Sequence, residues 1–121
     1  MKKSKISFDL EKYIETIGQA SGELIGVEIS TKSGTIFDDY FSATGIPADE
    51  NIKILIDKIF EKNAKIVEFL DNCSKSQWKE LSKISVLIGL FLARLTPGQI
   101  LRLPEFKEVR RIRLSRKEEG D

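Results

Sequence analysis

The sequence predicts an α/β domain, on three observations. Apolar residues recur at helical spacing over 8–20 and 51–70; the period switches to two after Glu23; and Ile84, Val86, Ile88, Leu90 and Leu92 alternate along the chain. If 74–95 forms a helix instead, the class becomes mainly α with one β-hairpin.

Over 8–20, Leu10, Tyr13, Ile14 and Ile17 fall on one helical face and Asp9, Glu11, Lys12 and Glu15 on the other. Ser7 suits the N-cap, and Ser21-Gly22 suits the stop. Ile25, Val27 and Ile29 then line one side of a strand, with Glu28 and Ser30 on the other. Thr31-Lys32-Ser33-Gly34 is a turn signal, and the β-branched and aromatic residues of 35–41 suit a returning strand. A β-hairpin over 24–41 is expected.

Pro47, Asp49 and Glu50 open a second helix, because an early Pro is tolerated and carboxylates favour the positive end of the dipole. Ile52, Leu55, Ile56, Ile59, Phe60, Ala64, Val67 and Leu70 form its apolar stripe. Lys53, Asp57, Lys58, Glu61, Lys62, Lys65 and Glu68 fall on the opposite face. Segment 74–95 fits two patterns. Ser74 and Gln77 suit a capping box ahead of a buried helix, whereas the alternation over 84–92 suits a strand broken near Gly89. Thr96-Pro97-Gly98 is equally two-sided, either a type II turn leading to a strand over 100–103 or a helix start.

At 121 residues one domain spanning 1–121 is expected, and 16 Ile with 12 Leu suffice for a core, placed over 6–103. The net charge of +1 conceals an uneven distribution. Residues 102–117 carry seven cations and two acids, while 6–101 carry ten cations and fourteen acids. Lys107, Arg110, Arg111, Arg113, Arg116 and Lys117 are candidate phosphate contacts. Phe106 is the one aromatic near them, so no multi-aromatic stacking platform is visible.

The chain has no His and one Cys, Cys73, which removes His-dependent catalysis, a thiolate zinc cluster and an internal disulfide. Asp38 and Asp39 with Asp49 and Glu50 are the carboxylate cluster considered for a hard cation, but adjacent strand residues point to opposite faces. The scattered glycines form no phosphate loop. Neither catalysis, metal nor cofactor is expected. The opening residues lack a secretory apolar core and the longest uncharged run, 84–93, is about half the roughly 20 residues of a membrane span, so a cytoplasmic protein is expected. Twelve Glu against three Gln, three Asn and one Met is a bias shared with heat-adapted proteomes; AT-rich genomes also favour Lys and Ile.

The order helix, hairpin, long helix, carried by LEKYIETIGQASGELIGVEISTKSGTIFDDYFS and GIPADENIKILIDKIFEKNAKIVEFL, resembles the Roadblock/dynein light chain superfamily, which includes MglB-type proteins. Gly34 falls at the family's turn. ELSKISVLIG, LFLARLTPGQILRL and EFKEVRRIRLSRKEE would match its third strand, its fourth and fifth strands, and its C-terminal helix, here a basic helix and tail over 104–121. The likeness rests on pattern and length over nearly the whole chain. It implies a central antiparallel sheet sandwiched with helices.

The resemblance implies a non-catalytic homodimeric platform for a Ras-like small GTPase or a signalling, motility or trafficking scaffold. Its dimer seam would follow the third strand, about 81–88, with Ile84, Val86 and Ile88. Its partner face would be the outer side of the second helix, with Asp57, Lys58, Glu61, Lys62 and Lys65. The alternative is a small adaptor that binds nucleic acid or a nucleoprotein complex through 102–117.

Overall fold

The computed structural model describes residues 5–31, 49–73, 78–82 and 85–115. Their centre is β1 (Ile25–Thr31), whose burial alternates along its length: Ile25, Val27, Ile29 and Thr31 point into the core. β2 (Leu90–Leu95) and β3 (Val109–Leu114) both pair antiparallel with it, giving the order β2-β1-β3. Among the described residues, five α-helices accompany this sheet, so the chain is α/β with a central antiparallel sheet.

The central place of β1 corrects the expected hairpin. β2 takes one edge from Ile25 to Ser30 and β3 the other from Val27 to Thr31, which leaves β1 no edge for a strand over 35–41. Residues 32–48 lie outside the described residues.

α1 (Phe8–Ile17) is capped as expected, the Ser7 hydroxyl accepting from the Leu10 N–H. It ends earlier than expected, at Gly18, whose φ of 91° is a conformation that L side chains rarely adopt. Just before it, the Ser7 N–H donates to the Ile112 carbonyl and the Ile112 N–H to the Lys5 carbonyl, forming a short parallel bridge along the outer edge of β3.

The long helix is two pieces, α2 (Asp49–Lys62) and α3 (Ala64–Cys73), interrupted at Asn63. Backbone bonds continue across the break, from Asn63 N–H to Ile59 and from Val67 N–H to Asn63. The buried positions run Leu55, Ile56, Ile59, Asn63, Ile66 and Leu70, so the apolar stripe passes through a polar residue. The Asn63 amide settles there by donating to the Ile59 carbonyl at 2.8 Å, competing with the helical bond. Ala64, expected on the stripe, is exposed.

Segment 78–95 is neither one helix nor one strand. It forms α4 (Trp78–Ser82), a 3₁₀ turn (Ser85–Ile88) and then β2. The strand expected over 81–88 is therefore corrected: the turn closes with Gly89 N–H donating to Val86, at φ 83° for Gly89, and the strand begins only after it. Trp78 is buried, stacked on Phe91 at 5.8 Å, and its indole N–H donates to Asp71 at 2.8 Å. Phe60 meets both rings edge-on, fastening α2 to β2.

Thr96 starts α5 (Pro97–Ile100) with a complete capping box to Gln99, which settles that segment as a helix start. Residues 100–103 do not form the returning strand; a second 3₁₀ turn (Leu103–Glu105) leads to β3. The basic helix expected over 104–121 is likewise corrected, since Val109–Leu114 is a strand. A bulge between Ser30 and Thr31 pairs Thr31 with Val109 but Ser30 with Arg111, so Arg110 is the extra residue. Val109 and Ile112 thus share one face three positions apart, the spacing of a helix.

Ser82 closes the outer edge of β2. Its buried hydroxyl accepts from the Leu92 N–H at 2.8 Å and donates to the Leu92 carbonyl at 3.1 Å, while Ser85 donates to the Leu90 carbonyl. Strand edges left unpaired invite association, and here a serine takes the place of a neighbouring strand. Ser82→Ala removes both bonds and buries an unsatisfied donor, so chemical denaturation should show a loss of about 1–3 kcal/mol. A variant as stable as the parent would mean that this seal contributes nothing.

Candidate binding surface

Antiparallel partners share a face, so the register fixes what the sheet presents outward. Val27 and Ile29 point inward with Ala93, Phe91 and Ile112. Gly26 opposite Arg94, Glu28 between Leu92 and Arg113, and Ser30 between Leu90 and Arg111 therefore point outward. The middle row is short or acidic, and the arginines stand beside it. Arg111 and Arg113 are about 7 Å apart along β3, and Arg94, level with Gly26, lies about 10 Å across the sheet and about 7 Å further along it than Arg113.

At the β3 edge of this face, Ser7, Phe8, Asp9, Glu28, Arg111, Arg113 and Leu114 line an open groove of about 820 Å³. Phe8 is 68% exposed at its rim, with the Lys12 ammonium 5.3 Å from the ring centre. Arg113 pairs with Glu28 at 3.3 Å. Arg111 meets no carboxylate in an ion pair among the described residues.

The candidate phosphate contacts Lys107, Arg110, Arg111 and Arg113 are all exposed, while Arg116 and Lys117 lie outside the described residues. They do not form a helical stripe; the strand turns Arg111 and Arg113 to the outward face. Arg94 and Glu28 were not candidates from sequence, because only the register places them beside β3.

The helix row Asp57, Lys58, Glu61, Lys62 and Lys65 is exposed as expected, and Ile54, 52% exposed, heads it. Lys65 and Lys107 also line a second groove of about 500 Å³, with Glu105, Phe106 and Glu108. Of the expected dimer seam, Ile84 lies outside the described residues. Val86 is buried in the chain's own core, and Ile88 is 65% exposed on a 3₁₀ turn. The seam thus has no strand over 85–88 on which to run.

Among the described residues no cluster of three or more His, Cys, Asp or Glu side chains is placed to hold a metal ion. Cys73 is half-buried, and burial raises its thiol pKa against the opposing pull of Arg102. That scarcity of thiolate makes it a poor nucleophile at neutral pH. No helix among the described residues is long and apolar enough to cross a membrane. No family model, curated protein or solved structure matches the chain.

Because Val109 and Ile112 hold β3 in the core, the strand does not depend on its outward arginines for anchorage. Replacing Arg111 and Arg113 together by Gln should lower stability by no more than about 1 kcal/mol in a denaturant titration, as expected of exposed pairs. A loss of several kcal/mol would show that the arginines hold the strand.

Proposed function

We propose that this chain is a cytoplasmic, non-catalytic binding module that holds single-stranded nucleic acid on the outward face of its sheet. One observation carries the reading: β3, fixed against the central strand, presents Arg111 and Arg113 on the same face as Arg94. Guanidinium groups on a rigid strand bind phosphates without first losing much backbone freedom. The exposed Phe8 ring at the rim favours single strands, since only unstacked bases offer it a face. The absence of His and the raised Cys73 pKa support binding over chemistry.

A second reading retains the Roadblock-type platform for a Ras-like small GTPase or scaffold, separate from the sheet face and centred on the helix row. It is favoured by Ile54, an exposed apolar side chain heading the charged row of Lys58, Lys62 and Lys65. In this reading the homodimer seam lies elsewhere than on Val86, which the core already buries.

Fluorescence anisotropy with labelled oligodeoxythymidylate tests the first reading. Three phosphate contacts predict a loss of about 20-fold in affinity between 50 and 200 mM salt. Arg111→Glu with Arg113→Glu should abolish binding, whereas Lys58→Glu with Lys62→Glu and Lys65→Glu should leave it unchanged. No binding at 50 mM salt, or loss only in the helix variant, would overturn the sheet-face reading.

A further inference from the structure

The arginine face carries a carboxylate at its centre. Glu28 is the middle outward residue of the middle strand, in register with Leu92 on one side and Arg113 on the other. Its side chain is 21% exposed, against 52% for Arg113, and the two meet at 3.3 Å between Glu28 Oε1 and Arg113 Nη2. A carboxylate so covered resists losing its counter-ion, because little water can replace it. A phosphate approaching Arg113 therefore meets a cation whose charge Glu28 already offsets, and the two anions compete for it.

Resting on the nucleic-acid reading above, we infer that Glu28 is the specificity-determining residue of this face: it competes with ligand phosphates for Arg113. Arg111 makes the first contact, and Arg113 is recruited only by a ligand whose charge density outweighs one carboxylate. A nucleic-acid strand meets that condition by placing successive phosphates along β3. An acidic peptide offers carboxylates no stronger than Glu28 itself and does not displace it. The acid thus sets a threshold that separates phosphate chains from the abundant acidic surfaces of other proteins.

The test is a double-mutant cycle of Glu28→Gln and Arg113→Gln, read by anisotropy with labelled oligodeoxythymidylate and with a labelled polyglutamate peptide. Gln keeps the size of the side chain and removes its charge; Glu28→Thr, suited to a strand, is the second variant should Gln not fold. Glu28→Gln should tighten oligonucleotide binding about tenfold at 50 mM salt with the salt dependence unchanged, because the same phosphates are contacted without a competing carboxylate. It should also give the peptide measurable affinity. Arg113→Gln alone should weaken oligonucleotide binding and flatten its salt dependence by about 0.7, one phosphate contact fewer on a single strand, and should erase the gain when combined with Glu28→Gln.

An unchanged or weakened affinity in Glu28→Gln overturns the inference, as does a gain that survives in the double variant, which would reflect general repulsion. If the parent binds, and binding is lost on reversing Arg111 and Arg113, such a result leaves the nucleic-acid reading standing. If neither the parent nor Glu28→Gln binds the oligonucleotide, both fall.

Discussion

The rest of the structure depends on β1 having both edges paired. A strand of seven residues with alternating burial can sit at an edge or in the middle of a sheet. Here its middle position forces two distant segments, 90–95 and 109–114, to converge on it, and these contacts between remote parts of the chain close the fold. The same pairing decides the chemistry of the surface. Once Ile29 faces inward beside Ile112 and Phe91, the register leaves Arg111 and Arg113 no other direction than outward.

The sheet's outer edges are finished by side chains and by the N-terminal segment instead of by long strands. Ser82 and Ser85 occupy the backbone groups of Leu90 and Leu92, and 5–7 bridges to β3. Lys5 adds a clasp by donating to the Pro104 and Phe106 carbonyls, both at 3.0 Å. Buried polar groups are tolerable when they are satisfied, and Thr31, Asn63 and Ser82 are: Thr31 bonds Gly89 and Asn63 bonds Ile59. Among the described residues, these three stitch a β1 end, a helix break and a strand edge into an otherwise apolar interior.

Sequence pattern reveals this architecture where the local period and the tertiary role agree. α1, its Ser7 cap, the two faces of β1 and the exposed row on α2 are legible because amphipathicity alone dictates them. β3 is not, because its bulge at Arg110 gives Val109 and Ile112 helical spacing. The strand at 90–95 is masked by Val86, which enters the core from a 3₁₀ turn and extends the apolar alternation upstream. The stripe through Asn63 is hidden by its polarity. As for the surface, the cations at 107–113 are evident as residues, but their joining with Arg94 and Glu28 requires the register, which no single segment encodes.

Cross-strand backbone NOEs measure that register directly. A central β1 gives them on both sides, from Glu28 to Leu92 and from Glu28 to Arg113. NOEs from β1 to residues 35–41 in place of those to β3 would restore the hairpin, remove Arg111 and Arg113 from this face and overturn the central position of β1.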